Sequence, residues 1–315
     1  MGKLSSEKLV EKITWGRERL ETGTAYNTQL VVGSIGKDNP KALIVAGIHG
    51  DEQPWASMAI NKMITQTKVS DLLGSLTIVP MANPTATEGD SRVSTLDHLD
   101  LNRSFPGDPK GSHTERIAAK ISTMVDSGFD LVVDLHGGGS WCVNAFSHKF
   151  RGSDKFAEAF NAPFIVDAVD RNNTLTGYAQ SQGAKVVAVE MGGRCSEEDS
   201  WAEKIATGAK MALKSIGVLD GNWEAEECKS IQVGKTSVLR PSRGGIFKPR
   251  FGSKKVGTII GEGEELGYIV DPSSFETVET FTAPYAQTAL LLLRPTLARV
   301  EQGAMSYVVA PLYKS

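Results

Sequence analysis

The sequence predicts an α/β domain followed by a small all-β domain. In residues 1–227, short apolar runs alternate with longer amphipathic ones, as strands and helices do in a sheet with helices on both faces. From about residue 228 onward, short β runs are interrupted by glycine and proline, and no good helical pattern occurs. We therefore expect a domain boundary within the segment 217–232, which divides the chain into residues 1–227 and 228–315.

The strands of the first domain are predicted from short runs rich in Val, Ile and Leu, and its helices from the longer amphipathic patterns between them. The predicted strands are 29–35, 42–47, 76–82, 129–137, 162–168 and 185–192. The predicted helices are 53–66, 112–127, 153–160 and 198–216. Ligands of such sheets gather at the carboxyl ends of the strands, so we look there for functional residues.

Composition and charge argue against several classes of protein. The 315 residues are 40% hydrophobic and 23% charged, which is typical of soluble globular proteins. A net charge of −3 gives no electrostatic basis for binding nucleic acid or an anionic membrane. No apolar run approaches a bilayer span, no signal peptide is recognised, and three cysteines are too few for a disulfide framework. We expect a cytoplasmic protein, and we leave its oligomeric state open.

Four ionisable residues follow the ends of three predicted strands. His49 and Glu52 follow strand 42–47, His136 ends the apolar run that starts at 129, and Glu190 ends the run that starts at 185. Two imidazoles and a carboxylate, with a fourth position open to water, make a catalytic zinc site. Neighbouring glycines let backbone and substrate come close to the metal. Any one of these residues alone has an ordinary structural explanation, but their shared position predicts a metal site.

The other three histidines are expected to lie at the surface or to be hydrogen-bonded; they are His98, His113 and His148.

A second cluster, Arg92, Asn102 and Arg103, lies in a loop region rich in Gly and Pro. The planar guanidinium group suits bidentate capture of a carboxylate. An arginine in a loop is usually a solvated surface charge, but beside a zinc site it is a candidate substrate anchor.

The motifs GIHGDE, DLNRSFPG, DLHGG and VEMGG, in this order, resemble the succinylglutamate desuccinylase/aspartoacylase family, a branch of the zinc carboxypeptidase superfamily. The motifs cover roughly residues 40–195. The resemblance implies a zinc-carboxypeptidase-like mixed sheet with one zinc ion per chain. It implies zinc ligation by His49, Glu52 and His136, catalysis by Glu190, and substrate-carboxylate and oxyanion contacts from Arg92, Asn102 and Arg103.

The segment after residue 228 resembles a small domain of predicted deacylases that is similar to a lipoyl or biotinyl carrier fold, a barrel-sandwich. The turn TAPYAQTALL has no lysine, to which a carrier would attach its cofactor, so we interpret this domain as a lid or substrate gate. Tyr285 in this turn is a candidate substrate-binding residue, with a packed surface role as the alternative. A basic face, or else a solvated charged loop, is formed by Arg240, Arg243, Lys248 and Arg250.

The predicted function is hydrolysis of the amide bond of a small N-acyl amino acid, or of a related compound, by metal-activated water. Glu190 would transfer the proton, Arg92 would stabilise the oxyanion, and Asn102 and Arg103 would hold a substrate carboxylate. A zinc carboxypeptidase or murein-peptide amidase acting on a short peptide stays open, as does an esterase. So does a catalytically silent metal- or ligand-binding module, although such a module has no need of Glu190.

Overall fold

The computed structural model describes residues 6–20, 28–169, 171–223 and 227–313. Part of the predicted boundary segment, residues 224–226, lies outside the described residues. The division of the chain at 227/228 therefore stays a prediction.

Strands and helices alternate through the first part of the chain, as predicted. In chain order they are β1 (Thr14–Leu20), β2 (Thr28–Ile35), β3 (Lys41–Ala46), α1 (Gln53–Gln66), β4 (Ser75–Val79), α2 (Pro84–Glu88), α3 (His113–Val125), β5 (Leu131–His136), β6 (Val143–Lys149), α4 (Asp154–Ala159), β7 (Phe164–Asp167), α5 (Leu175–Ser181), β8 (Lys185–Gly192) and α6 (Glu198–Ser215).

Four parallel strands, in the order β4-β3-β5-β8, form the centre of the main sheet. On one side, β2 and then β1 extend the sheet in antiparallel orientation. On the other side, β6 pairs antiparallel with β8, and β7 pairs parallel with β6. The mixed sheet expected from the sequence is confirmed.

Helices cover both faces of this sheet. On one face α1 and α6 pack through residues such as Met63 and Leu213. On the opposite face α3 and α5 pack through residues such as Ile121 and Leu175. Strands buried on both faces have nearly continuous apolar sequences, which explains the run KALIVA of β3. Among the described residues, no helix is both long enough and apolar enough to cross a bilayer.

The polar residues at the ends of the central strands share one side of the sheet. Leu135 of β5 and Val189 of β8 belong to the core beneath α1 and α6. Since side chains alternate along a strand, their neighbours Asp134, His136 and Glu190 face the side of α3 and α5. His136 and Glu190 are also direct partners in the β5–β8 pairing.

The later part of the chain is β-rich, as predicted. Its strands are β9 (Ile231–Gln232), β10 (Ser237–Leu239), β11 (Gly245–Pro249), β12 (Ile259–Gly261), β13 (Glu265–Val270), β14 (Thr277–Thr282), β15 (Gln287–Leu293), β16 (Ala298–Val300) and β17 (Tyr307–Pro311). Within residues 227–313 the only helical segment is the 3-10 turn Ser253–Lys255.

These later strands divide between two sheets. A separate four-stranded sheet has the order β14-β13-β11-β16, which agrees with a small all-β unit. In contrast, β15, β17 and β10 continue the main sheet beyond β6. The junction is made by Leu292 and Leu293 of β15, which pair with Asn144 and Val143 of β6. Because this pairing depends on contacts between distant parts of the chain, the sequence pattern does not predict it.

The sequence patterns also miss β1, α2, β6 and α5. In β6 the apolar residues are interrupted by Asn144, Ser147 and His148. A strand with polar side chains on a buried face lacks the apolar run that identifies its neighbours. These polar positions matter because β6 is the strand that joins the two parts of the main sheet.

Candidate active site

The segment after β3 places two predicted metal ligands at a buried corner. His49 follows β3, and Glu52 ends a one-turn 3-10 helix that leads directly into α1. Pro54 fits the first turn of α1, where a backbone N–H has no helical acceptor. A Cβ atom at Gly50 would lie 2.0 Å from the backbone of Ala86. Glycine is therefore required for this corner to pack against α2.

His136, the last residue of β5, completes a compact cluster with this corner. Its Nδ1 atom lies 2.9 Å from Oε2 of Glu52, and Nδ1 of His49 lies 2.9 Å from Oε1 of the same carboxylate. One possible ligand atom from each residue lies within 4.8 Å of the others. All three side chains are buried. The structure thus brings together the three residues predicted to bind metal.

Each ring also contacts a second carboxylate through its other nitrogen. Nε2 of His49 lies 3.2 Å from Oδ1 of Asp100, and Nε2 of His136 lies 3.0 Å from Oδ2 of Asp134. Carboxylates in this position fix the orientation of a metal-binding imidazole and assign its proton to the outer nitrogen. The sequence patterns identify neither aspartate. The available signal for Asp134 is its position two residues before His136 in a strand, which puts both side chains on one face.

The cluster fits a zinc ion. In the tautomers that carry the proton on Nε2, next to Asp100 and Asp134, the Nδ1 lone pairs of both rings face the oxygens of Glu52. Three acceptors that meet in this way are satisfied by a cation between them. Two imidazole nitrogens and one carboxylate oxygen are the donors of many catalytic zinc sites.

The charges of the cluster shift the pKa values of its members. Burial by itself raises the pKa of Glu52, but the two imidazoles outweigh burial and hold this pKa well below its usual range. Burial by itself lowers the pKa of His136, but Asp134 and Glu52 outweigh it and raise this pKa well above its usual value. Since a metal binds the deprotonated imidazole, protons and metal compete for this cluster.

Glu190 lies beside the cluster, and Asn144 of β6 orients it. Nδ2 of Asn144 donates a hydrogen bond of 2.8 Å to Oε2 of Glu190. Burial raises the pKa of Glu190 to about 7; the charge of His136 opposes this shift and that of Glu52 adds to it. A carboxyl group with a pKa near neutrality can both accept and donate a proton during a reaction.

Arg92 reaches the cluster from the loop after α2. Its Nη2 atom donates a hydrogen bond of 3.0 Å to Oδ2 of Asp100. Its Nη1 atom lies 3.4 Å from Nδ1 of His49 and 3.6 Å from Oε1 of Glu52. The structure thus places the guanidinium group of Arg92 beside the cluster, and its catalytic role stays a prediction.

Asn102 and Arg103 lie on a short 3-10 turn that is attached to the same cluster. Nδ2 of Asn102 lies 3.1 Å from Nε2 of His136, and its Oδ1 atom accepts a hydrogen bond of 3.0 Å from the backbone N–H of Leu175. Arg103 is exposed, and burial together with the nearby charges of Arg171 and Arg92 lowers its pKa despite the opposing charge of Asp100. The turn thus presents a cationic group beside the metal-binding residues.

Tyr285 has its contacts within the later strands. Its hydroxyl group is hydrogen-bonded to Oγ of Ser237 at 2.7 Å, and its ring packs against the apolar core of that region. A direct role of Tyr285 in substrate binding stays a prediction.

The four residues of the predicted basic face, Arg240, Arg243, Lys248 and Arg250, are exposed.

His148 differs from its expected surface or hydrogen-bonded state. Its ring is half-buried beside Phe146 and Phe150, and its Nδ1 atom is enclosed without a hydrogen-bond partner among the described residues. Of the other two histidines, His98 is exposed and His113 lies 3.3 Å from the hydroxyl of Thr85, as expected. The error arises because β6 is not predicted from the sequence.

The family model of the succinylglutamate desuccinylase/aspartoacylase catalytic domain matches residues 38–216. This range contains all the predicted site residues except Tyr285 and the four residues of the predicted basic face. The chain belongs to this family. The N-alpha-acetyl-L-2,4-diaminobutyric acid deacetylase of Halomonas elongata is 35% identical over 201 residues, which are 60% of this chain. The matched region spans 58% of the length of that relative.

Solved structures extend the similarity of fold to the whole chain. A succinylglutamate desuccinylase/aspartoacylase from Rhodobacter sphaeroides matches with a TM-score of 0.81 at 22% identity, over 99% of this chain and 97% of that one. The product-bound ectoine utilization protein EutE (DoeB) from Ruegeria pomeroyi matches with a TM-score of 0.79 at 24% identity, over 98% and 96%. At this identity the match establishes the shared fold, which includes the later β strands.

Proposed function

We propose that this chain is a zinc-dependent amidohydrolase that removes the acyl group from a small N-acyl amino acid. The observation that carries the proposal is the position of Glu190 beside His49, Glu52 and His136 on one side of the sheet. Family membership supports the reaction type, and the deacetylase relative supports an acylated amino acid as substrate. A module that only stored metal would not need a fourth, separately oriented carboxyl group.

His49, Glu52 and His136 would hold the zinc ion, one per chain. When bound, zinc lowers the pKa of a coordinated water to about 7 and polarises the carbonyl group of the substrate. Glu190 would take up the proton of the attacking water and deliver it to the leaving amine. Its hydrogen bond from Asn144 uses Oε2, which leaves Oε1 free to exchange the proton.

The cationic residues would position the substrate. Arg92, beside His49 and Glu52, would stabilise the negative charge that develops on the carbonyl oxygen. Asn102 and Arg103 would bind the carboxylate of the amino acid and hold the scissile amide in place. The name of the deacetylase relative specifies an α-acetylated amino acid, which carries such a carboxylate. The segment 228–315 would act as a gate that restricts the size of the substrate.

The test is a panel of substrates incubated with zinc-loaded protein, with released amine as the readout. The panel contains N-acetyl and N-succinyl amino acids, esters of the same acids, short peptides and murein peptides. We expect turnover of one or more N-acyl amino acids and none of the longer peptides. Turnover of peptides alone would assign the chain to the carboxypeptidase or amidase alternative.

Metal analysis provides the matching control. We expect one zinc ion per wild-type chain and loss of metal in the double variant His49→Ala/His136→Ala. Equal metal content in the two proteins would overturn the assignment of the metal centre. Absence of turnover across the panel, with metal bound, would favour a silent binding module.

A further inference from the structure

Arg294 directly follows β15, the later strand that pairs with β6. Leu293 pairs with Val143 of β6, so the antiparallel register continues to Arg294 opposite Cys142. Paired residues of antiparallel strands lie on the same side of a sheet. This places Arg294 on the side of Cys142 and Asn144, and Asn144 is the residue that binds Glu190.

Contacts of Cys142 show how close this position is to the site. Its Sγ atom lies 2.8 Å from the carbonyl oxygen of Gly138, in the loop that follows His136. Burial raises the pKa of the Cys142 thiol well above its usual value, the charges of Glu52 and Glu190 add to this, and Arg294 acts in the opposite direction. Cys142 therefore lies opposite Arg294 and in contact with the loop that follows His136.

The guanidinium group of Arg294 is held in place but is not neutralised. It stacks on the ring of Trp141, with 4.6 Å between Cζ and the ring centroid. The residue is partly buried, and its Nε atom is enclosed without a hydrogen-bond partner among the described residues. No carboxylate of the described residues forms an ion pair with it. Other arginines of the chain do have such partners: Arg92 with Asp100, Arg194 with Asp90, and Arg299 with Glu301.

We propose that Arg294, stacked on Trp141, binds a second carboxylate of the substrate. The inference rests on the proposed function, since it assigns the residue to the substrate side of the same site. Stacking on an indole fixes the plane of the guanidinium group and leaves the edge of its fork open. An arginine held in this way binds a planar carboxylate through two parallel hydrogen bonds.

This assignment separates two anionic subsites. The turn of Asn102 and Arg103 is attached to the start of α5 at Leu175, whereas Arg294 lies beside the start of β6. A substrate with one carboxylate would use the first subsite. A substrate with two carboxylates would use both, and the later strands would then determine specificity through a side chain of their own.

The test measures binding of glutarate and of its monoamide, glutaramate, to zinc-loaded protein by titration calorimetry. The two ends of glutarate are identical, so the monoamide can still place its one carboxylate on Arg103 and loses only the second contact. A charge-assisted contact to a carboxylate predicts about ten- to a hundred-fold tighter binding of glutarate. Zinc content is measured after each titration to exclude removal of the metal.

Arg294→Gln is expected to reduce this preference to about two-fold or less, and Arg294→Lys to retain part of it. Arg299→Gln is the matched control, because Arg299 is exposed and lies in the same region; it should keep the wild-type preference. A preference retained in Arg294→Gln, or absent in the wild type, would overturn the inference. Since the titration measures binding and not hydrolysis, its outcome is independent of whether the proposed reaction occurs.

Discussion

The main sheet differs between the part before β6, which carries the candidate site, and the part after it, which begins with β15. The difference is in whether the polar side chains have partners within the protein. In the first part, the buried polar groups of the site contact one another: Asp100 with His49, Asp134 with His136, and Asn144 with Glu190. In the later part, Arg294 has no carboxylate partner among the described residues. Groups that hold a metal must be oriented before it binds. A group that recognises a substrate gains most when its partner arrives with the ligand.

The largest effect is expected from deletion of residues 228–315, which tests whether the two parts are separable. Deletion removes β15, exposing the edge of β6 and the apolar contacts of Leu290 and Leu293 with Val143. An exposed strand edge next to an apolar surface promotes aggregation. We expect little soluble protein, measured as yield and by size-exclusion chromatography. A soluble truncation that binds zinc would support the predicted boundary at 227/228 and contradict a shared core.

Glu190→Gln is expected to have the next largest effect, because it removes proton transfer but keeps the shape of the side chain. General acid–base catalysis contributes about 10²- to 10⁴-fold, so turnover of the preferred substrate should fall by at least this factor. Zinc content and the thermal midpoint should stay near those of the wild type. Turnover close to the wild-type rate would remove Glu190 from the mechanism.

Asp134→Asn is expected to weaken zinc binding by about ten- to a hundred-fold, the range found for residues that orient metal ligands. The reason is that Asp134 is fully buried against Nε2 of His136 and holds the orientation of that ring. Competition with a fluorescent chelator measures the affinity directly. Asp167→Asn, at an exposed position of β7, is the control and should leave it unchanged. Equal affinity in both variants would show that His136 is oriented without Asp134.

The smallest effect concerns His148, whose burial lowers its pKa to about 4, with the charges of His136 and Arg171 adding to the shift. An unfolded histidine titrates near 6.5. Between these two values the unfolded chain binds a proton that the folded chain does not, so acid destabilises the folded state. The loss is at most about 3 kcal/mol at the acid end.

Denaturant unfolding of metal-free protein at a series of pH values measures this contribution. In His148→Gln, the decrease in stability from pH 6.5 to pH 4 should be smaller than in the wild type, whereas His98→Gln, at an exposed position, should follow the wild type. Parallel curves for His148→Gln and the wild type would show that the ring is protonated in the folded state as easily as in the unfolded one.

The sequence by itself determined the parallel centre of the sheet and the residues at its edge. Continuous apolar runs identify strands buried on both faces. The run of β5 ends in His136, the run of β8 leads to Glu190 within the strand, and the run of β3 is followed by His49. Because parallel strands end at the same edge, the position of His136 and Glu190 near the ends of their strands, and of His49 just after its strand, brings the three residues together.

Tertiary structure alone decided the residues that orient these groups and the position of Arg294 beside β6. β6 has no apolar run to identify it, yet its register with β8 places Asn144 opposite Gly192, where its side chain hydrogen-bonds Glu190. The register of β6 with β15 places Arg294 opposite Cys142. Pairing between distant strands depends on the packing of both faces of the sheet. No local pattern encodes such a register, so a side chain that acts across it is found only in the folded chain.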